Sequence, residues 1–127
     1  MIAYLAGPID FDNPKSKVSQ LRADIKDALR VAGYWVYDPS TAWSAPVHYA
    51  VDGTVQQANY QIIDHADLVV AILVKDVFTA GTVLELAYTR AAWPMKDVFA
   101  VGDIGDGSVA LADLKITVYE TIGEGLF

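Results

Sequence analysis

The sequence predicts an α/β fold: a doubly wound, five-stranded parallel sheet of flavodoxin-like or Rossmann-like order. Three observations carry this reading. Strand and helix signals alternate along the whole chain, with no linker, repeat or low-complexity tract between them. The run Leu68 to Val74 is apolar at every position, as a central parallel strand covered on both faces requires. The segment Lys15 to Ala32 places Val18, Leu21, Ile25, Ala28, Leu29 and Ala32 at helical spacing, with Gly33 where a C-terminal cap belongs.

Each element has its own signal. Ile2 to Ala6 is a short apolar strand punctuated by Gly7-Pro8, and the helix from Lys15 to Ala32 follows. Tyr34 to Tyr37 is the second strand, ended by Asp38-Pro39. A long loop through Trp43, Pro46 and Tyr49 leads to a helix from about Val55 to His65. After the third strand comes a helix from Thr82 to Trp93, stopped by Pro94. Val98 to Val101 and Lys115 to Tyr119 complete the strands, with a short helix near Ser108 to Leu114 between them. One domain over residues 1–127 is expected.

Right-handed crossovers leave few strand orders for this pattern, of which 2-1-3-4-5 fits five strands best. The switch point then falls between the first and third strands, and ligands gather there, outside the carboxyl ends of the strands. Two loops meet at that crevice, Gly7 to Pro14 and Lys75 to Gly81. The start of the second long helix, with Gln57, Asn59 and Tyr60, faces the same side. His65 and Asp67 fall at the opposite end, which argues against a catalytic role for either.

Composition removes several function classes. The hydrophobic fraction is 54%, which excludes disorder, and the net charge of -7 opposes binding to a nucleic-acid polymer. Without Cys there is no disulfide, thiol nucleophile or cysteine metal site, and the two His residues, His48 and His65, are too few for a zinc cage. Neither metal nor cofactor is expected. Met1-Ile2-Ala3-Tyr4-Leu5 lacks a basic signal region, and no apolar run reaches the roughly 20 residues that span a bilayer. The expectation is a cytoplasmic protein without a membrane anchor. A Gly-x-x-x-x-Gly-Lys-Ser/Thr phosphate loop and a Gly-x-Gly-x-x-Gly after the first strand are both absent.

Glu85 stands out among the polar residues. It follows the small-residue run Thr79-Ala80-Gly81-Thr82 after the third strand, so it belongs to the first turn of a helix that starts at the crevice. The positive end of that helix favours an ionised carboxylate, which can attack an electrophilic carbon or move a proton. Thr82-x-x-Glu85 is also a capping box, in which the glutamate bonds the amide that opens its own helix. At the first strand, Gly7 permits close approach of a ligand and puts Asp10 within reach of it.

Tyr4-Leu5-Ala6-Gly7-Pro8, Ile62-Ile63-Asp64-His65-Ala66-Asp67-Leu68-Val69-Val70-Ala71 and Gly81-Thr82-Val83-Leu84-Glu85-Leu86-Ala87-Tyr88 together resemble the nucleoside 2-deoxyribosyltransferase family, whose relatives include the nucleoside 5′-monophosphate N-glycosidases. The resemblance covers about the whole chain in element order. It implies cleavage of the bond between a sugar C1′ and a nucleobase, with Glu85 attacking C1′ to form a glycosyl ester. Gly7, Pro8, Ile9, Gly81 and Thr82 then line the substrate site. Family members close the pocket with residues of a neighbouring subunit, which implies a homodimer or larger homo-oligomer.

The chain departs from the family at two positions. Many members carry an aspartate where this chain has Asn59, which can hydrogen-bond a ribose hydroxyl but cannot act as a base. Protonation of the leaving base then falls to Asp10, another carboxylate or water. Six residues before the glutamate, transferases tend to carry aspartate and the monophosphate hydrolases serine. Thr79 is a hydroxyl there, beside a helix start that can receive phosphate. Asp10 opposes a phosphate; Lys15, Lys17 or Arg22 could offset it, although such charges read as a solvated helix face. Trp43, Tyr49 and Tyr60 are the aromatic candidates for stacking on a base, while Trp35 and Trp93 read as core or interface.

The sequence therefore points to an enzyme that releases or exchanges the base of a nucleoside or its 5′-monophosphate. The alternatives are transfer on unphosphorylated nucleosides alone and a nucleotide-binding module that has lost catalysis. A receiver-like domain is disfavoured, since no acidic pair follows the first strand.

Overall fold

The computed structural model describes residues 1–8, 16–42, 54–75, 80–104 and 113–120. In chain order these form β1 (Ile2–Ala6), α1 (Lys17–Val31), β2 (Trp35–Tyr37), α2 (Pro39–Ala42), α3 (Thr54–His65), β3 (Leu68–Ile72), α4 (Ala80–Ala92), β4 (Asp97–Val101) and β5 (Thr117–Tyr119). The sheet is all parallel in the order β2-β1-β3-β4-β5, as the sequence predicts. The expected helix near Ser108 to Leu114 lies mostly outside the described residues.

Alternation along the central strands divides the core in two. Ala3 and Leu5 of β1 with Leu68, Val70 and Ile72 of β3 pack under Val18, Ile25 and Leu29 of α1. Tyr4 and Ala6 with Val69 and Ala71 face the other way, toward Ile63 of α3 and Leu86 of α4. Every residue of β3 is buried, which explains its unbroken apolar run.

Local chemistry sets the boundaries. The Ser16 side chain accepts a hydrogen bond from the Ser19 amide at 3.2 Å, so α1 starts two residues later than the apolar pattern suggests. It closes in a Schellman motif: the Gly33 amide donates to Arg30 O at 3.0 Å and the Tyr34 amide to Leu29 O at 2.9 Å. Gly33 has φ +94°, and Tyr34 is spent on this cap, so β2 begins at Trp35. At the other end of the sheet, Lys115 has φ 56°, which no strand residue adopts, and β5 starts at Thr117 rather than Lys115. Trp35 is 63% exposed on the edge strand, so it is not core. The guanidinium of Arg90 staples the end of α4 to the chain before β5 by donating to the carbonyls of Leu114, Pro94, Lys96 and Lys115.

The parallel register separates a ligand end from a structural end. Asp67 pairs with the start of β1: its carboxylate accepts from the Ile2 amide at 2.8 Å, and its own amide donates to Ile2 O. That bonding holds Asp67 at the amino ends of the strands, away from the crevice. Among the described residues no helix is long and apolar enough to cross a membrane.

Two glycines test the backbone account. A Cβ at Gly102, where φ is +148°, would lie 2.0 Å from the backbone oxygen of Leu73, whereas a Cβ at Gly33 would meet nothing within 4 Å. Gly33→Ala should therefore cost about 1 to 2 kcal/mol, the price of a left-handed conformation alone. Gly102→Ala should cost clearly more, since β3 and β4 must also separate. Urea unfolding of both variants checks this, and equal losses would contradict it.

Candidate active site

The site is built at the carboxyl ends of β1 and β3, where α3 and α4 pack over Tyr4. Glu85 is only 7% exposed. Its Oε1 accepts from Gln56 Nε2 of α3 at 3.4 Å, and Oε2 makes no hydrogen bond of ordinary geometry among the described residues. Burial pushes the carboxyl up to about 7, against the opposing pull of the Tyr4 hydroxyl, the Gln56 amide and the Arg22 charge. A carboxyl group poised near neutrality can be a nucleophile or a proton carrier.

This arrangement corrects two expectations. Helix α4 begins at Ala80, so Glu85 is its sixth residue and stands in the second turn rather than the first. The favourable field of a helix start fades within one turn, and burial dominates instead: the carboxyl is raised, not lowered. Thr82 is inside the helix and buried, so it does not occupy the N-cap position that a capping box needs. What Glu85 bonds is Gln56, on a different helix.

Asn59 is 2% exposed, one turn beyond Gln56 on α3 and one turn before Ile63. It is an inward-facing polar group rather than part of a solvated face. Gly81 is exposed at the start of α4, and a Cβ there would lie 3.7 Å from Gln56 Oε1, so its bare backbone borders the Gln56–Glu85 pair. Gly7 also matters to the packing of the strand ends. A Cβ on it would come 3.0 Å from Ile72 Cβ and 3.2 Å from Arg22 Nη2, so the space its missing side chain leaves is filled from the α1 side by protein atoms. Pro8 presents its carbonyl to Arg22 Nη2 at 2.6 Å. Ile9, Asp10, Trp43, Tyr49 and Thr79 lie outside the described residues.

An aromatic wall runs outward from the carboxylate. Tyr60 of α3 stacks on Tyr88 of α4 with ring centroids 4.2 Å apart. The Tyr88 hydroxyl donates to Asp64 Oδ1 at 2.6 Å, and Trp93 Nε1 donates to the same oxygen at 2.7 Å. Those two donors hold the Asp64 carboxyl below its usual range. Burial and then the Glu85 charge raise the Tyr60 hydroxyl. Tyr60 is thus the aromatic candidate that the structure sets beside Glu85, already engaged by a second ring.

Three residues of this site were readable but were not singled out as site residues. Gln56, Asn59 and Ile63 share one stripe of α3 at steps of three and four, so the inward glutamine is Gln56, while Gln57 is exposed. Tyr4 alternates with Leu5 and therefore faces α3 and α4. Arg22 falls on the buried series Val18, Arg22, Ile25, Leu29 of α1 and is 7% exposed, not part of a solvated face.

Comparison with known proteins agrees with this architecture. Similar solved structures include a 2-deoxyribosyltransferase from the psychrotolerant bacterium Bacillus psychrosaccharolyticus, 20% identical with a TM-score of 0.61 over 84% of this chain and 77% of that one. Another is a 2-deoxyribosyltransferase from Leishmania mexicana, 18% identical with a TM-score of 0.53 over 79% of this chain and 63% of that one. At these identities the likeness is one of fold. No curated protein sequence matches the chain significantly. The family model described as nucleoside 2-deoxyribosyltransferase matches residues 3–107, which span β1 to the end of β4 and include Tyr4, Gln56, Asn59 and Glu85. By that match the chain belongs to the nucleoside 2-deoxyribosyltransferase family, enzymes that act on the N-glycosidic bond.

Proposed function

We propose that the chain breaks the bond between C1′ of a nucleoside, or of its 5′-monophosphate, and the base, with Glu85 as the nucleophile. The observation that carries this is the buried carboxyl of Glu85 at the ligand end of the sheet, with one oxygen bonded by Gln56 and the Tyr4 hydroxyl as its other polar neighbour among the described residues. A carboxylate oxygen forms the bond to C1′ as the C1′–N bond breaks, and the bonding pair leaves with the base, which takes up a proton. Asp10, which follows β1 in the sequence, is the candidate proton donor. A second base, or water, then attacks C1′ and frees the carboxylate. Transfer to a second base is the outcome that family membership favours.

Other residues take supporting roles. Asn59 is suited to a sugar hydroxyl, since its amide can donate and accept but not deprotonate. Gly81 and Thr82 let the sugar approach the start of α4, and Ile9, Trp43 and Tyr49 are the candidates for contact with the base. The Tyr60–Tyr88 stack offers a flat apolar wall beside the carboxylate.

Glu85→Gln should reduce base release from nucleosides by about three orders of magnitude or more while the protein stays folded. In the unmutated enzyme kcat/KM should rise with pH through about 7, because only the ionised carboxyl attacks. Below that midpoint the fall should approach about tenfold per pH unit. Liquid chromatography of the released base reads both. Full turnover by folded Glu85→Gln would exclude this mechanism.

A 5′-phosphate on the substrate is the finer part of the proposal, and it rests on Thr79, a neutral hydroxyl just before the start of α4. The ratio of kcat/KM for a monophosphate to that for its parent nucleoside should be well above one, and Thr79→Asp should lower it by like-charge repulsion. A ratio at or below one in the unmutated enzyme identifies the unphosphorylated nucleoside as the substrate.

A further inference from the structure

Helices α3 and α4 both start at the ligand end of the sheet and pack on the same face of it, so their facing residues meet in register. Gln56, Tyr60 and Asp64 recur every fourth residue along α3, and Glu85 and Tyr88 stand one turn apart on α4. They pair as successive rungs. Gln56 Nε2 donates to Glu85 Oε1 at 3.4 Å, the Tyr60 and Tyr88 rings stack with an interplanar angle of 13°, and the Tyr88 hydroxyl donates to Asp64 Oδ1 at 2.6 Å. The Asp64 rung is the most heavily bonded. Trp93 Nε1 donates to the same Asp64 oxygen at 2.7 Å, and Lys96 Nζ donates to the Ile63 carbonyl at 2.5 Å and to Asp64 O at 3.3 Å. That ammonium also lies 4.7 Å from the centroid of the Trp93 ring. Tyr88, Trp93 and Lys96 thus close together on the end of α3.

The rungs differ in strength. Bonds of 2.6 and 2.7 Å to an ionised carboxylate are charge-assisted, and these two donors hold Asp64 in that form. A side-chain amide at 3.4 Å is near the limit of a hydrogen bond. The reach of Gln56 to Glu85 therefore depends on how far apart the two helices stand, and that spacing is set where the bonds are strong. Stability alone does not call for this device. Tyr88→Phe would keep the same ring against Tyr60, and Asp64 is only half-buried, where ionic contacts add little. What the hydroxyl adds is direction: it fixes the long axis of the Tyr88 ring, and the stack passes that orientation to Tyr60, one turn from Gln56 on the same stripe.

We propose that Asp64 and Tyr88 are positioning residues for Glu85: the Asp64 carboxylate holds the Tyr88 hydroxyl, the Tyr60–Tyr88 stack fixes the spacing of α3 and α4, and that spacing keeps Gln56 Nε2 on the Glu85 carboxyl. Asp64 stands two turns from Gln56, about 12 Å along the helix axis, so its effect on Gln56 passes through the packed rings. The inference rests on the role given to Glu85 above, but its first readout does not require turnover.

The test follows the side-chain amide resonance of Gln56 by nitrogen-15 NMR of the full chain, assigned by its loss in Gln56→Ala. Glu85→Gln gives its position with the carboxylate removed. In Tyr88→Phe and in Asp64→Ala the resonance should move about halfway or more toward that position, whereas Asp64→Asn, which keeps an oxygen acceptor for both donors, should stay near the unmutated protein. Base release should show kcat lowered about tenfold in Tyr88→Phe and Asp64→Ala with KM within about twofold, because a misplaced reacting group slows the chemical step more than it weakens binding. A mere stability anchor would lower the unfolding midpoint and leave both readouts where they are. An unmoved Gln56 resonance in Tyr88→Phe, which removes one oxygen and keeps the ring, would overturn the proposal even if Asp64→Ala failed to fold. Base release on the same samples separates the two claims. A moved resonance without base release in the unmutated protein would refute the glycosidic reading and leave the positioning intact, whereas Glu85-dependent release with an unmoved resonance would do the reverse.

Discussion

The burial of one carboxyl group, that of Glu85, is the constraint on which the rest of the site depends. Taking a carboxylate out of water is costly unless it is paired or gives up its charge. Here it is neither ion-paired by direct contact nor fully satisfied by hydrogen bonds among the described residues, and it responds with a raised proton affinity. Such an arrangement trades stability for reactivity. A poorly solvated carboxylate is a stronger nucleophile than one held in a salt bridge, and its neighbours Gln56 and Tyr4 orient it without neutralising it.

The fold supplies the walls of this environment cheaply. The switch between β1 and β3 sends α1 to one side of the sheet and α3 and α4 to the other, so the carboxyl ends of two central strands open between them. Strand alternation sends Tyr4 to the Glu85 side and Gly7 to the Arg22 side. The two faces therefore differ in chemistry: neutral donors and aromatic rings on the α3 and α4 side, the Arg22 guanidinium on the α1 side. The opposite end of the sheet is tied by Asp67 to Ile2, and Arg90 anchors the far end of α4.

Much of this was legible in the sequence where periodicity is strong. The strand order, the central position of Leu68 to Ile72, the Gly33 cap and the location of Glu85 near the crevice all follow from apolar pattern and punctuation. What was misplaced turns on rotations and offsets of one or two residues. Starting α4 at Thr82 instead of Ala80 turned an interior glutamate into an apparent cap, and choosing Gln57 over Gln56 rotated the α3 face by about 100°. Arg22 was misread for a different reason: its charge suggested solvent, although its spacing placed it among Val18, Ile25 and Leu29. The packing against Gly7 is not legible locally, because the atoms beside it come from β3 and α1. Asp10, Trp43, Tyr49 and Thr79 stand in stretches of sequence without apolar periodicity, so pattern gives them no register.

The central claim is thermodynamic, and comparing Glu85→Gln with the unmutated protein by urea unfolding across pH tests it most directly. With its folded-state value raised from 4.5 to about 7, Glu85 holds its proton more tightly in the native chain than in the unfolded one. Its contribution to stability is therefore full below about 4.5 and is lost as pH rises through about 7. Because the other titrating groups largely cancel in the comparison, the stability of Glu85→Gln relative to the unmutated protein should increase by about 2 to 3 kcal/mol between pH 5 and pH 8. A difference that does not change with pH, or a variant that loses relative stability toward pH 8, would show that the native fold does not disfavour the charged carboxylate and would contradict the account.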